Sequence, residues 1–477
     1  MHNCGQADAD ADADAAKATV LVIATFNTAI AARISMALAD VGFRVATLTP
    51  RGHPVRRLRK ISNHFKYHTR SQLKSIVRAL DRLSPDLLVC ADDFAVRALQ
   101  ILHQRTAASA DKARRNISKL IELSLGPATS FPAMHNKSDF LALIEIEGLR
   151  TPKTIIIPAN RTLESAPPQL SYPIVIKADQ SYGGICVRFA NSDAGVRAAV
   201  WELQTPTTWR SIFRRFFGAV FGSETLRLFR LPLRRTINLQ QYIVGRPSNR
   251  AVICWKGKVL AGISVETLEV THESGPASVV RLIDHREMTI AAEHMVKRLE
   301  LSGFVGFDFV LDSFNQAWMI ELNPRVTPIC QFCLADGTNL AGSLYTQMTG
   351  LRPRSTPATI TRSPIALFPN EVVRCPSGGY LQSSQHDVPW NEPELVCSVL
   401  SEALRVGIGR RVRTFLKRLQ NLFQKLFADN KPHIGASATE VAEVTARHRR
   451  STFSQCHRES RVGQFCKLLL HRLRRSQ

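Results

Sequence analysis

The fold of this chain is decided by residues 306–325, which begin with Gly-Phe-Asp-Phe (306–309) and end with Met-Ile-Glu-Leu-Asn-Pro-Arg (319–325). The two ends of this stretch predict neighbouring apolar strands. Side chains two positions apart in a strand share a face, so Glu321 and Asn323 point together and Asp308 joins them from the neighbouring strand. Carboxylate and amide oxygens are the hard ligands that Mg²⁺ prefers. The stretch therefore predicts a metal site, with the Arg325 guanidinium just beyond it to hold a carboxylate or acyl phosphate.

Two lysines and a glycine-rich turn lie upstream in a matching order. Lys137 opens an amphipathic helix, and Lys177 ends an apolar strand that is followed by Ser-Tyr-Gly-Gly at 181–184. Two separated lysines can neutralise a triphosphate from two sides, and glycines let backbone N–H groups approach phosphate oxygens. Each feature alone also fits an ordinary explanation, namely a solvated strand end or a plain turn. Their combination predicts a phosphoryl-transfer site.

With the apolar strand 239–245 between them, these features resemble the ATP-grasp superfamily, which includes biotin carboxylase, carbamoyl-phosphate synthetase and D-alanine–D-alanine ligase. The resemblance covers residues 131–350. It implies an α/β fold, with an ATP-grasp module preceded by a Rossmann-like parallel-sheet domain at residues 18–130. It also implies ATP as the nucleotide and Mg²⁺ or Mn²⁺ as the metal.

The resemblance assigns one set of residues to the nucleotide. The phosphates fall to Lys137 and Lys177, under a loop that contains Ser181, Gly183 and Gly184. The adenine hinge runs from Gln240 to Ile243, mainly through backbone groups of Gln241 and Ile243, and the ribose falls near Ser248 and Asn249. Relatives often carry Glu where this chain has Gln240, and an acid near the ribose. These differences bear on ATP affinity more than on the class of reaction.

A second set is assigned to the metal and to catalysis. Asp308, Glu321 and Asn323 are implied metal ligands, although Asp308 is shorter than the Glu more common there. Arg325 is implied to anchor the acyl phosphate, and Lys177 to act in catalysis as well as in binding. Arg281 is placed like a basic residue that steadies the transferring phosphate in some relatives. The sequence after Arg325 gives no reason to infer biotin carboxylation.

The implied function is that of a ligase for small-molecule substrates. A carboxylate is activated by ATP as an acyl phosphate, an amine or other nucleophile displaces phosphate, and ADP is released. Two alternatives stay open on the sequence. One is a non-catalytic protein of the same fold that binds a nucleotide or an anionic polymer, and the other is an ATP-grasp kinase that stops after phosphoryl transfer.

The part of the chain before this module predicts a doubly wound sheet. Apolar strands at 18–25, 43–49 and 85–90 alternate with amphipathic helices, as in open α/β domains. The turn after the first strand lacks the GxGxxG fingerprint, so a dinucleotide is not expected here. Asp92 and Asp93 end the third of these strands, where they either cap the next helix or touch a substrate.

Basic residues dominate the charge of the chain, with 63 Lys and Arg against 39 Asp and Glu, a net charge of +24. No zinc-finger, RNA-recognition or homeodomain pattern accompanies this charge, so no specific nucleic-acid partner is predicted. Two basic amphipathic helices are predicted, one within an insertion at 205–236 and one at 410–427. Such helices either cover a core or lie on an anionic membrane surface.

The remaining segments predict a cytoplasmic protein. Residues 1–17 form a predicted disordered Asp/Ala-rich tail without the features of a secretory signal, and residues 351–477 form a C-terminal extension. The ten cysteines are scattered, which fits a reducing compartment. Cys330 and Cys333 lie in an apolar run without a second pair at metal spacing, which favours buried thiols over a zinc or redox site.

Overall fold

The computed structural model describes residues 18–403 except for short gaps. The gaps are residues 62, 162, 164–166, 168, 181–185, 205–234, 273–274, 355–358, 376–377 and 402. The chain divides into two compact units, Met1–Leu395 and Val396–Gln477, and the sheets of the fold belong to the first. The predicted tail, the Ser-Tyr-Gly-Gly turn and nearly all of both basic helical segments lie outside the described residues.

The first sheet is parallel and has the strand order β3-β2-β1-β4. Its strands are β1 (Thr19–Ile23), β2 (Arg44–Thr49), β3 (Asn63–Lys66) and β4 (Leu87–Cys90). The helices of this region are α1 (Ala29–Val41), α2 (Gln72–Leu83), α3 (Asp93–Thr106) and α4 (Lys112–Leu125). Because helices cover a parallel sheet, its strands lie in apolar surroundings, and both β1 and the edge strand β4 are buried along their whole length. The predicted α/β class is confirmed.

The second sheet is antiparallel and small. Its strands are β5 (Thr154–Ile157), β6 (Ile174–Ala178), β7 (Val187–Ala190) and β8 (Ile237–Gln241), in the order β5-β8-β6-β7. Helix α7 (Asp193–Gln204) packs against it, and together they enclose a separate hydrophobic core. The predicted strand 239–245 ends earlier in the structure, at Gln241, and residues 242–245 lie between β8 and β9.

The third sheet is mixed and has seven strands in the order β13-β12-β9-β10-β11-β14-β15. These are β9 (Arg246–Trp255), β10 (Lys258–Val270), β11 (Ala277–Leu282), β12 (Gly303–Leu311), β13 (Ala317–Asn323), β14 (Ile365–Ala366) and β15 (Gln385–His386). A hairpin joins β9 to β10. Its turn residues Lys256 and Gly257 both have positive φ, 48° and 80°, which suits a tight turn between twisted strands.

Further helices of the described residues follow the first sheet or accompany the third. They are α5 (Phe131–His135), α6 (Lys137–Ile146), α8 (Arg286–Arg298), α9 (Leu340–Thr349) and α10 (Asn370–Arg374), and the short α11 (Gly379–Ser383) follows. One hydrophobic core runs from the first sheet through α3 to α6 and α8 into the third sheet. The two sheets thus share a core across the predicted boundary at residue 130, whereas the second sheet has its own. The predicted domain boundaries remain predictions.

Cys330 and Cys333 are both buried free thiols, as expected for members of an apolar run. Within the described residues, no helix combines the length and apolar composition needed to cross a lipid bilayer.

Candidate active site

Three polar side chains form a row across neighbouring strands of the third sheet. In the strand register, Asp308 on β12 lies directly opposite Glu321 on β13 and Asn249 on β9. Residues directly opposite in antiparallel strands point to the same face, so this row shares one face with Asn323. The amides of Asn249 and Asn323 donate to the two Asp308 oxygens at 2.6 and 2.9 Å. The structure therefore brings the three predicted metal ligands together and adds Asn249.

The two carboxylates of this row differ in their tendency to ionise. Burial raises the pKa of Asp308, and the nearby negative charge of Glu321 raises it further, against the two amide hydrogen bonds. Burial acts in the same direction on Glu321, but the charge and hydrogen bond of Lys137, together with the charges of Lys177 and Arg325, outweigh it and lower the pKa of Glu321. Asp308 therefore gains most from a cation that would offset the repulsion between the two groups.

Lys137 and Lys177 approach this row from two other elements. Lys137 is the first residue of α6, and its ammonium group forms a partly buried ion pair with Glu321. Lys177 lies on β6, where its Nζ donates to Gln240 Oε1 at 2.7 Å. Burial lowers the pKa of Lys177 to about 8, and the charge of Lys137 acts in the same direction, although Glu321 and Asp308 oppose the shift. The two predicted phosphate ligands thus meet at one cluster.

Arg325 connects the row to the first sheet. Its Nη2 donates to Asn323 Oδ1 at 3.1 Å, and its Nε lies 2.9 Å from Asp93 Oδ2. Asp93 begins α3 directly after β4, whereas Asp92 caps that helix by accepting from the Ala95 N–H. The helix-cap interpretation is therefore confirmed for Asp92, while Asp93 reaches the candidate site. The sequence alone did not distinguish the roles of these two residues.

Arg281 does not join this cluster. It lies on β11 opposite Glu266, with which it forms an ion pair, and Glu266 lies opposite Ser248. Ser248 is the neighbour of Asn249 along β9, and consecutive residues in a strand point to opposite faces. Arg281 and Ser248 therefore lie on the other face of the sheet from Asp308. The structure does not support their expected contacts with phosphate and ribose, and it leaves Asn249 facing the site.

The adenine hinge, Gln240 to Ile243, begins at the end of β8. The Gln240 side chain, nearly fully buried, links Lys177 to Thr154, and the Gln241 N–H donates to the Lys153 carbonyl oxygen at 2.9 Å. Among the residues that the structure describes, none accepts a hydrogen bond from the Ile243 N–H. That donor is available to a ligand at the position where the resemblance implies an adenine contact.

Asp179 is a structural residue of the site that sequence analysis missed. It follows β6 and accepts from the Ser138 N–H at 3.1 Å, from the Ser138 hydroxyl at 2.6 Å and from Asn238 Nδ2 at 2.8 Å. These bonds tie the start of α6, and hence Lys137, to the strand that carries Lys177. An acid at a strand end has no distinctive sequence signal, so only the fold reveals this role.

Replacing Asp179 with alanine is expected to lower the free energy of unfolding by about 2–4 kcal/mol, since buried donors on Ser138 and Asn238 lose a charged acceptor. Urea unfolding followed by fluorescence measures this change. Asp139→Ala is the matched control, because Asp139 makes an exposed hydrogen bond on the same helix and should change stability little. Equal stability of the two variants would contradict the proposal that Asp179 holds the start of α6 against the strand that carries Lys177.

The oxygen atoms of the candidate site can be compared with the ligands that a magnesium ion requires. Within the described part of the chain there is no group of three or more His, Cys, Asp or Glu side chains that could hold a metal. Mg²⁺, however, is usually held by one or two carboxylates together with phosphate and water oxygens. Asp308 and Glu321 fit that pattern. Asn249 Oδ1 is buried without a hydrogen-bond donor among the described residues, an acceptor that a cation or its water would satisfy.

Comparison with known protein families points to the same region of the chain as the candidate site. Residues 134–328 match the family model of the ATP-grasp domain, which confirms the resemblance over that part of the chain. No sequence among curated proteins matches the chain.

Several solved structures are similar at low sequence identity. An L-amino acid ligase from Bacillus licheniformis is 12% identical, and the match covers 69% of this chain and 74% of that chain with a TM-score of 0.44. An N5-carboxyaminoimidazole synthase from Aspergillus clavatus is 15% identical, with coverages of 73% and 81% and a TM-score of 0.49. A biotin carboxylase from Campylobacter jejuni is 14% identical, with coverages of 72% and 73% and a TM-score of 0.49.

Proposed function

We propose, from an ATP-grasp domain that spans residues 134–328, that this chain is an ATP- and Mg²⁺-dependent ligase that activates a substrate carboxylate. The observation that carries the proposal is the convergence of Lys137 and Lys177 on the Asp308–Glu321 pair. Two carboxylates that suit a divalent cation, next to two cations that suit phosphates, match the needs of nucleotide-dependent phosphoryl transfer.

The proposed reaction has two steps. A carboxylate oxygen of the substrate attacks the γ-phosphorus of ATP, and the bond from that phosphorus to the bridging oxygen of ADP breaks. An amine or other nucleophile then attacks the acyl carbon, and inorganic phosphate leaves. Lys137 and Lys177 offset the charge of the phosphate oxygens, and Arg325 holds the carboxylate end of the substrate.

A magnesium ion held by Asp308, Glu321 and Asn323 would supply positive charge to the phosphates. With the phosphates bound, the ammonium group of Lys137 could pair with them instead of with Glu321, whose carboxylate would then be available to the metal. Such an arrangement would leave each of these charges compensated.

Hydroxylamine trapping tests the proposed reaction. ATP consumption is first screened across amino acids, small peptides and sugar acids, with ADP and AMP separated among the products. A productive carboxylate should give ADP and, with hydroxylamine present, a hydroxamate, and both should be lost in Lys177→Ala and Glu321→Ala. AMP as the product, or no nucleotide turnover with any carboxylate, would sink the proposal. ADP release without hydroxamate would indicate a kinase instead.

The lowered pKa of Lys177 predicts a pH dependence of nucleotide affinity. Burial lowers that pKa to about 8, so the free protein loses this positive charge as pH rises through 8. Because the phosphates bind the charged form, the affinity for Mg·ADP is expected to fall above pH 8, by at most about tenfold per pH unit. Isothermal titration calorimetry between pH 7 and pH 10 (about three units, spanning the shifted and the ordinary lysine pKa) measures this fall.

Gln240→Glu places a carboxylate beside Lys177, which should raise its pKa and move the decline in Mg·ADP affinity to higher pH. Gln204→Glu makes the same chemical change at an exposed position at the end of α7 and should leave the profile unaltered. An unchanged profile in Gln240→Glu would contradict the assignment of the decline to Lys177.

A further inference from the structure

A small cavity lies beside the Lys137–Glu321 pair, on its side toward the first sheet. It has a volume of about 70 Å³ and lies between α3, α5, the start of α6 and the segment after β6. A cavity needs about 10–15 Å³ of such volume for one water molecule, so this one has room for a group of several heavy atoms. The polar residues that line it and bear on its chemistry are Asp93, Arg97, His135, Lys137, Gln180 and Glu321.

The charges that line this cavity are unevenly compensated. Glu321 is paired with Lys137, and Asp93 lies 2.9 Å from Arg325. Arg97 also faces the cavity, from the next turn of α3 after Asp93. Its hydrogen bond is to a neutral group, Gln180 Oε1, at 3.2 Å. Over the described ranges, no carboxylate lies within ion-pair distance of this guanidinium.

The acids near the cavity have other partners among the described residues. Asp179, which precedes Gln180 in the chain, is already bound by Ser138 and Asn238. His135 has a pKa lowered by burial and then by Arg97 itself, so it is neutral near pH 7. Burial also lowers the pKa of Arg97, as expected for a cation that is removed from water without a compensating negative charge.

We propose that Arg97 is the docking residue for a compact oxyanion in this cavity, either the carboxylate of the substrate or the phosphate formed from ATP. The cavity shares Lys137 and Glu321 with the proposed phosphoryl-transfer site, so an oxyanion bound to Arg97 lies next to the reacting groups. A guanidinium binds carboxylate or phosphate through two parallel hydrogen bonds, which would orient the bound group as well as hold it. The identity of this oxyanion as a reactant rests on the proposed function, whereas its binding does not.

Calorimetric titration of sodium acetate and of inorganic phosphate tests this proposal. Each is titrated in chloride-matched buffer into protein saturated with Mg·ADP, whose affinity is measured first in every variant. We expect saturable binding of at least one anion, weakened about tenfold or more in Arg97→Gln because a charge-assisted hydrogen bond is lost. Stronger binding of acetate would assign the cavity to the substrate carboxylate, and stronger binding of phosphate to the transferred group.

Arg105→Gln is the matched control, since Arg105 lies on the same helix but lines a separate surface groove with Leu73 and Ile117. It should bind the anions as the unmodified protein does. No saturable binding of either anion, or binding that Arg97→Gln leaves undiminished, would overturn the proposal. If Mg·ADP still binds in that case, only the proposed role of Arg97 is refuted. If Mg·ADP does not bind the unmodified protein, the proposed function fails.

Thermal unfolding without ligands separates docking from a structural role. Arg97→Gln removes a partly buried charge that no acid among the described residues compensates, so its unfolding temperature should stay the same or rise. A marked fall in that temperature would indicate that Arg97 serves the fold instead and would count against the proposal.

Discussion

Replacing Glu321 with glutamine is expected to lower the rate of ADP release by about 10³-fold, measured with a carboxylate that the substrate screen finds productive. Glutamine keeps the size of the side chain but removes its charge. The row that contains Asp308 then holds one negative charge where a divalent cation needs two. Lys137 also loses its ion-pair partner. The change therefore removes charge at the position where phosphoryl transfer depends on it most.

The control for this variant is Glu287→Gln, the same change in a half-exposed carboxylate on α8 that pairs with Arg150. It should retain nearly full activity. Circular dichroism and the unfolding temperature of Glu321→Gln should resemble those of the unmodified protein, which would separate loss of chemistry from loss of fold. Activity of Glu321→Gln within about tenfold of the original would contradict its assignment as a metal ligand, since such a small loss does not fit removal of a required charge.

Replacing Phe307 with alanine is expected to lower the free energy of unfolding by about 3–5 kcal/mol. Phe307 is fully buried on β12, next to Asp308 but on the opposite face, where its ring centroid lies 6.4 Å from that of Phe140 on α6. Its removal leaves a cavity in the core that joins the third sheet to the helix that begins at Lys137. Urea unfolding measures the loss, and it should be a large fraction of the stability of a typical domain.

Phe314→Ala is the matched control, because Phe314 lies in the turn between β12 and β13 and its side chain is 83% exposed. Its truncation should change the free energy of unfolding by no more than about 0.5 kcal/mol. Similar losses in both variants would contradict the packing of α6 on β12. If Mg·ADP affinity also falls in Phe307→Ala under conditions where the protein stays folded, the packing positions Lys137 as well.

The sequence by itself determined the features that depend on short-range periodicity. Glu321 and Asn323 share a face because they are two apart in a strand, and Lys137 opens a helix whose apolar positions recur at helical spacing. The parallel first sheet followed from the alternation of continuous apolar runs with amphipathic helices. The order of these features also predicted the ATP-grasp domain that the family model matches at residues 134–328.

Only the tertiary structure decided which residues meet across elements. Asn249 faces Asp308, and Arg281 does not, because the register of β9, β10 and β11 decides which residues share a face. Asp93, Asp179 and Arg97 are ordinary polar residues in their local sequence, and each gains its contacts from an element far away along the chain. Local patterns indicate where a side chain points relative to its own strand or helix. The partner that it meets depends on long-range packing, which no local pattern encodes.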